Sequence, residues 1–162
     1  MTKKPDLNAP DNFLILTLKD GDVKIRLRPD LAPKHVKRIK ELVAEGFYDG
    51  HAFHRVIAGF MAQTGDPTGT GTGGSGKKLK AEFSKTEKHT RGTVSMARAA
   101  DINSADSQFF ICFQTAAHLD GQYTIWGQVT EGMEHVDGIK KGSGGNGRVE
   151  EPDVMISLRI NA

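Results

Sequence analysis

The stretch Phe53-His-Arg-Val-Ile-Ala-Gly-Phe-Met-Ala-Gln63 decides the fold of this chain. It has short apolar runs on both sides of Ala58-Gly59, a pattern that predicts two strands joined by a tight turn. Arg55 is the one cation in the stretch, and a guanidinium among apolar side chains costs free energy unless its donors are used. These residues alone leave two interpretations open: an arginine that serves a site, or one whose stem packs on the sheet while its head reaches solvent.

Strand patterns continue on both sides of this stretch. Towards the N-terminus, residues 13–18 and 23–28 predict an antiparallel hairpin, the second strand having one wet face. Towards the C-terminus, apolar runs or alternation predict strands over residues 92–97, 108–112, 125–129 and 154–160. Turns rather than helices join most successive strands, which indicates an antiparallel sheet.

Two helices complete the pattern. The first begins at Pro33, whose missing N–H costs nothing in a first turn, and ends near Gly46. Its apolar face consists of Val36, Ile39, Leu42 and Val43. The polar residues from His35 to Glu41 predict that the other face of this helix is solvated. A second, short helix is predicted to begin at Met133.

The fold class that these elements favour is mainly β, with seven or eight short strands and two helices. We expect a closed antiparallel barrel with the helices over its ends, because closure removes the exposed strand edges.

Length and composition exclude several classes of protein. The chain has 162 residues, enough for one domain with a sizeable core. Its composition, 37% hydrophobic and 26% charged residues, excludes a disordered chain. The 22 basic against 20 acidic residues argue against a protein dedicated to nucleic acid or a membrane surface. No apolar run reaches the length of a signal-peptide core or a membrane span. We therefore expect a cytoplasmic monomer with a loose tail, residues 1–12, before the domain, residues 13–162.

Other motifs give weaker signals. Residues 69–74 match G-x-G-x-x-G, but no helix pattern follows to hold a pyrophosphate, so nucleotide binding is a distant alternative. His51 and His54 lack the further convergent ligands that a metal site needs. Cys112 ends an apolar run and is predicted to be a small buried side chain. We expect neither a metal nor another cofactor.

The fold-deciding stretch, together with later blocks of the chain, resembles the cyclophilin family. The resemblance continues in order through Gly65-Asp66, Gly71-Thr-Gly-Gly74, Gly92-Thr-Val-Ser-Met-Ala97, Ser107-Gln-Phe-Phe-Ile-Cys112, Leu119-Asp-Gly121 and Trp126-Gly-Gln-Val129. It covers residues 14–160, nearly the whole chain. Cyclophilins are peptidyl-prolyl cis–trans isomerases with an eight-stranded antiparallel barrel and two capping α-helices, so the resemblance implies that fold and that activity here.

The resemblance also implies roles for single residues. Arg55 takes the position of the catalytic arginine, and Gln63 the position that steadies it. The proline pocket falls on Phe60, Met61, Phe110 and Leu119. The groove for the extended peptide falls on Ala97, Arg98, Gln108, His118 and Tyr123.

The sequence departs from the better-known eukaryotic pattern in a way that resembles the bacterial cyclophilins. Arg98 stands in place of an asparagine, His118 in place of a tryptophan and Tyr123 in place of a histidine. Cyclosporin inhibits many cyclophilins. Because His118 lacks the indole donor, we expect weaker cyclosporin binding than in the relatives that have tryptophan.

The implied role of Gln63 conflicts with simple strand geometry. A two-residue turn would pair Arg55 with Ala62, and alternation would then place Gln63 on the opposite face. We therefore expect a β-bulge near Phe60 or Met61.

The sequence thus predicts an isomerase that accelerates X-Pro rotation in peptides and folding proteins. The alternative is a non-catalytic module or chaperone that binds proline peptides in the same groove. Retention of Arg55 and Gln63 favours the enzyme, because a pure binder has no need for the arginine.

Overall fold

The structure is a computed structural model that describes residues 6–161. Eight antiparallel strands and two α-helices form its framework. The strands are β1 (Phe13–Leu18), β2 (Gly21–Leu27), β3 (Arg55–Ile57), β4 (Met61–Thr64), β5 (Thr93–Met96), β6 (Phe109–Cys112), β7 (Ile125–Glu131) and β8 (Ser157–Ile160). The helices are α1 (Pro33–Ala44) and α2 (Met133–Asp137), and the 3-10 turns are Pro10–Asn12 and Ala117–Leu119.

The eight strands form one sheet in the order β3-β4-β6-β5-β7-β2-β1-β8. Every neighbouring pair is antiparallel. This confirms a mainly β fold with eight antiparallel strands and two helices. The closed barrel is wrong, because β3 and β8 are the two edges of an open sheet.

The gap between β3 and β8 is spanned by the chain segment that precedes β8. This segment makes isolated β-bridges instead of a ladder, and one of them joins Arg55 to Arg148. The glycine-rich stretch 142–147 and Pro152, which has no N–H to donate, interrupt regular pairing here. The same segment brings Asn146 to the edge strand that carries Arg55.

The β3–β4 register places Arg55 directly opposite Gln63. A three-residue turn, residues 58–60, makes this possible, and Gly59 at its centre has φ +74°, a left-handed conformation that favours glycine. The expected pairing of Arg55 with Ala62 is therefore wrong. The extra residue expected near Phe60 or Met61 lies at the end of the turn, because Phe60 N–H donates to Ile57 O at 3.0 Å while Ile57 pairs with Met61. Residues that lie directly opposite each other share one face of the sheet, so Arg55 and Gln63 lie on the same face.

Strand β6 separates two apolar clusters, because its side chains alternate between the two faces of the sheet. Phe109 and Ile111 belong to the main core, which also contains the fully buried Trp126. Phe110 and Cys112 point the other way and belong to a smaller cluster. Cys112 is buried as predicted, and burial raises its pKa to about 12.

Helix α1 has the predicted apolar face, and Val36, Ile39, Leu42 and Val43 are all buried. The solvated position predicted for His35 is wrong, since its side chain is also buried. Its Nδ1 lies 2.6 Å from Glu82 Oε1, and Glu82 also accepts the backbone N–H groups of Lys34 and His35. Glu82 therefore caps the start of α1 with a negative charge, which the helix dipole favours.

The last strand is shorter than predicted. β8 begins at Ser157, and the preceding Val154 and Ile156 are 42% and 50% exposed. Met155 between them is buried, so the residues before β8 present the opposite set of side chains to the core. The predicted alternation over residues 154–160 is correct only for its second half.

The N-terminal tail predicted over residues 1–12 lies partly outside the described residues, which begin at Asp6. Asn12 is buried, and its side-chain amide donates to Asp6 O at 2.7 Å. Lys40 of α1 donates to Asn12 Oδ1 at 3.2 Å. The division into tail and domain stays a prediction.

None of the helices in the described part of the chain combines the length and the apolar composition needed to cross a membrane.

Buried histidines predict how stability depends on pH. His35, His51, His54 and His89 are all buried, and burial lowers the pKa of each. In the unfolded chain a histidine titrates near ~6.5. Below that pH the unfolded state therefore binds more protons than the folded state, and stability present at neutral pH is lost as pH falls towards the folded pKa values.

We expect the free energy of unfolding to fall by about 1–3 kcal/mol between pH 7 and pH 5. Urea unfolding followed by circular dichroism at constant ionic strength measures it. A midpoint that stays constant over this range would contradict the prediction.

Candidate active site

Arg55 occupies the rim of an open cavity of about 270 Å³. It is the first residue of β3, and its side chain is partly exposed. Nε donates to Asn146 O at 2.9 Å, and Nη1 donates to Gln63 Oε1 at 3.3 Å. These two bonds fix the plane of the guanidinium and leave its remaining N–H donors for a ligand in the cavity.

A chain of side-chain amides continues from Arg55. Gln63 Nε2 donates to Gln108 Oε1 at 2.9 Å, and Gln108 Nε2 donates to Gly73 O at 3.0 Å. Each amide donates in the same direction, so the hydrogen bonds define how both glutamines are oriented. Arg55 is therefore held by a chain of hydrogen bonds that runs through Gln63 and Gln108 to the backbone carbonyl of Gly73.

An apolar pocket adjoins the guanidinium, formed by Phe60, Met61, Phe110 and Leu119. Met61, Phe110 and Leu119 are buried, while Phe60 is partly exposed at the mouth. The pocket belongs to the smaller apolar cluster, on the face of the sheet away from the main core. A small ring could enter it without disturbing the packing that stabilises the fold.

The remaining predicted groove residues are distributed around this cavity. Ala97, Arg98 and Tyr123 line it. Gln108 lines an adjoining cavity, and His118 is exposed, with its ring 5.3 Å from the ring of Phe60. The structure therefore brings most of the predicted residues together and places His118 just outside. Their roles stay predictions.

Backbone carbonyl groups hold the guanidinium of Arg98 in place. Its Nε and Nη2 both donate to Gln122 O, and Nη1 donates to Ala99 O at 3.0 Å. The guanidinium also lies over the ring of Tyr123, 4.6 Å from its centre. Arg98 thus forms a rigid, positively charged wall of the cavity.

The glycine loop, defined here as residues 66–74, forms another wall. Its centre is the buried Asp66, whose Oδ1 accepts from the backbone N–H and the hydroxyl of Thr68, while Oδ2 accepts from the N–H groups of Gly71 and Gly73. Burial by itself would raise the pKa of Asp66, but these hydrogen bonds outweigh it and lower that pKa. A side chain at Gly73 would collide with the Asp66 carboxylate, so the glycine is required there.

A buried polar network supports the apolar pocket from behind. The ring of His89 stacks on Phe110 with centroids 6.2 Å apart. His89 Nδ1 lies 3.0 Å from Asp120 Oδ1, and Nε2 lies 2.9 Å from Ser95 Oγ. Burial lowers the pKa of His89, with Asp120 opposing that shift. This network fixes the position of Phe110.

Sequence reasoning missed His89, Asp66, Asn146 and Arg148 as residues that build or line the site. Asn146 contributes through its backbone carbonyl, which carries no sequence signal. His89 acts through Asp120, which is far away in the chain, whereas Asp66 acts through N–H groups of its own loop, where no local pattern indicated its role. Arg148 is brought in by the segment before β8, whose position no local pattern indicated.

The motifs set aside in the sequence do not form separate sites in the part of the chain that the structure describes. The G-x-G-x-x-G match lies in the glycine loop and is not followed by a helix. Within residues 6–161, no three histidine, cysteine, aspartate or glutamate side chains come together as a metal site requires.

Known proteins resemble the chain over most of its length. Residues 13–160 match the model of a family described as cyclophilin type peptidyl-prolyl cis-trans isomerase/CLD. A probable peptidyl-prolyl cis-trans isomerase of Brucella suis is 57% identical over 166 residues, which cover 94% of this chain and 84% of that protein. A peptidyl-prolyl cis-trans isomerase of Helicobacter pylori is 47% identical over 137 residues, 83% of each chain.

A solved structure agrees with these relatives. The crystal structure of a cyclophilin type peptidyl-prolyl cis-trans isomerase of Cryptosporidium parvum, in the presence of the dipeptide Ala-Pro, superimposes with a TM-score of 0.86. It is 32% identical in sequence, and the match covers 93% of this chain and 99% of that chain.

The glycine loop gives a testable prediction. In Asp66→Asn, one carboxylate oxygen becomes an NH2 group that faces backbone donors, so at least one of the N–H groups of the loop loses its acceptor. We expect a loss of about 2–4 kcal/mol in the free energy of unfolding, measured by urea titration. Asp11→Asn is the matched control, because the side chain of Asp11 is 71% exposed. Equal stability of the two variants would contradict the role given to Asp66.

Proposed function

Because the chain belongs to the family of cyclophilin-type peptidyl-prolyl cis-trans isomerases, it is an enzyme that interconverts cis and trans X-Pro bonds, and we propose that Arg55 catalyses the rotation beside an apolar proline pocket. The observation that supports this most directly is that the free donors of Arg55 face the same cavity as Phe60, Met61 and Phe110. One proline ring in the pocket would place its amide bond near the guanidinium.

The barrier to rotation about the X-Pro bond determines how much catalysis the enzyme must supply. Resonance holds the X-Pro bond planar with a barrier of ~18–20 kcal/mol, and uncatalysed exchange takes roughly 10–100 s. A typical turnover of ~10–10³ s⁻¹ requires about 4–7 kcal/mol of transition-state stabilisation. No proton is transferred and no covalent bond forms. The enzyme needs only to bind the twisted amide better than either planar form.

Arg55 supplies the polar part of this preference. In the twisted state the proline nitrogen regains a lone pair, to which the guanidinium can donate, and it can also hold the carbonyl oxygen before the proline. A charge-assisted hydrogen bond contributes about 1.5–3 kcal/mol, and more where water is excluded. Gln63 keeps Arg55 in place, so the donor does not have to reorganise during rotation.

The apolar pocket supplies the remainder. Phe60, Met61, Phe110 and Leu119 would hold the pyrrolidine ring still while the other side of the bond rotates. They also keep water from the amide, and water stabilises the planar dipole more than the twisted form. Because Arg55 alone does not reach the required stabilisation, the pocket would have to supply the rest.

The substrates are proline-containing peptides, and we extend this to unfolded and folding proteins, whose X-Pro bonds are accessible. The relative from Cryptosporidium parvum was crystallised in the presence of the dipeptide Ala-Pro, which suits a pocket of this size. We also propose that the protein acts as a monomer in the cytoplasm and that no metal or other cofactor takes part.

A non-catalytic binding module or chaperone is the alternative use of the same groove. The Arg55–Gln63–Gln108 hydrogen-bond chain favours catalysis over simple binding. A module that only captures proline peptides gains nothing from three polar side chains aligned beside an apolar pocket, because their desolvation weakens binding.

Removal of the guanidinium tests the proposal. We expect Arg55→Ala to lose most of its isomerase activity on a proline tetrapeptide, at least about 100-fold in kcat/KM, with an unchanged circular-dichroism spectrum. Arg55→Lys should lose most of it too, because an ammonium lacks the planar fork of donors. Full activity in a correctly folded Arg55→Ala would refute the assignment.

Cyclosporin binding tests the role of His118 at the mouth of the groove. His118 lacks an indole N–H, so we expect wild type to bind cyclosporin more weakly than cyclophilins with tryptophan at this position. His118→Trp should bind it more tightly, by about 10-fold for one added hydrogen bond and its ring contact. Isothermal titration of both proteins measures the change, and equal affinity would contradict the prediction.

A further inference from the structure

Two arginines lie directly opposite each other at the edge of the active site. Arg55 and Arg148 form an isolated antiparallel bridge, and both side chains line the same cavity. Residues paired in this way have Cβ atoms about 4.5–5.5 Å apart on one face. Like charges in that arrangement repel, which destabilises the fold unless an anion lies between or beside them.

Among the residues that the structure describes, none that lines the cavity is such an anion. Three guanidiniums line the cavity, those of Arg55, Arg98 and Arg148, and its lining contains neither aspartate nor glutamate. No arginine of this set takes part in an ion pair within residues 6–161. The cavity wall therefore carries unbalanced positive charge, although the net charge of the whole chain is only +2.

Two carboxylates near the cavity, those of Asp106 and Asp66, hold loops in place. Asp106 lines the adjoining cavity, but Oδ1 accepts from the backbone N–H and hydroxyl of Ser75, and Oδ2 accepts from Gly76 N–H at 3.1 Å. Asp66 is buried and accepts hydrogen bonds only from its own loop. Within residues 6–161, neither forms an ion pair with Arg148.

The three arginines differ in how many donors remain available. Arg98 uses Nε, Nη1 and Nη2 on backbone carbonyls, and Arg55 uses Nε and Nη1. Arg148 makes a single long contact, Nη1 to Thr70 O at 3.4 Å, so almost its whole donor fork is available. Arg148 is therefore the guanidinium best able to bind an incoming carboxylate with two hydrogen bonds.

We propose that Arg148 is a specificity-determining residue that favours substrates with an aspartate or glutamate next to the isomerised proline. This inference rests on the proposed function, because it assigns a substrate class to the same groove. A carboxylate of the peptide would bind Arg148 and relieve its repulsion with Arg55. Arg98 would add to the attraction through its field, which raises the rate of encounter and decreases as salt is added.

Matched peptides test the preference. Each pair differs only in glutamate or glutamine at one position: two residues before the proline, directly before it, or directly after it. Isomerisation rates from NMR exchange spectroscopy give kcat/KM without a coupling protease. We expect wild type to prefer the glutamate peptide by about 3–10-fold in at least one register at low salt, and by less than about 2-fold at ~0.5 M NaCl.

Variants assign the preference to Arg148. Arg148→Gln should reduce the glutamate-to-glutamine ratio to less than about 2, and Arg148→Lys should retain part of it because the charge remains. Lys37→Gln is the matched control: it removes one exposed positive charge on α1, away from the cavity, and should keep the full ratio. Thermal melts check that all variants are folded.

The outcomes separate the two proposals. Turnover of the glutamine peptides with no preference in any register overturns the role of Arg148 and leaves the isomerase proposal intact. A preference that persists in Arg148→Gln, or that disappears in Lys37→Gln, also overturns it. If wild type turns over neither peptide of any pair, the proposed function itself fails.

Discussion

The direct opposition of Arg55 and Gln63 across β3 and β4 is the contact on which the site depends. It places a guanidinium and the amide that steadies it on one face, and the amide is held in turn by Gln108. The three-residue turn between the strands sets this register. A turn one residue shorter would move Gln63 to the opposite face and leave Arg55 without its support.

The site is compatible with a stable fold because the sheet has two apolar faces. In β6, Phe109 and Ile111 pack into the main core, while Phe110 and Cys112 face the smaller cluster that includes the apolar pocket beside Arg55. A ligand can therefore be surrounded by apolar side chains without an opening in the main core. The His89–Asp120 pair lies behind Phe110, with the His89 ring stacked on it, and so supports the pocket wall.

The open edge of the sheet contributes to function as well. Because β3 has no regular partner beyond β4, the segment before β8 can pack against it by single bridges and place Asn146 and Arg148 beside Arg55. A closed ladder at this edge would compete for backbone groups such as Asn146 O, which now accepts from Arg55 Nε. The irregular pairing at this edge therefore also accounts for the position of Arg148, one of the three positive charges of the groove.

Local patterns in the sequence determined the strands around Arg55, the apolar face of α1 and the burial of Cys112, because these depend on periodicity and neighbouring residues. The motifs also identified Arg55, Gln63 and the apolar pocket through their resemblance to a family. The tertiary structure alone decided the turn register that puts Arg55 opposite Gln63, the burial of His35 against Glu82, and the position of Arg148. The register depends on whether the turn has two or three residues, which the pattern of apolar residues does not specify. The other two depend on contacts between segments far apart in the chain, and no local preference specifies which distant groups will meet.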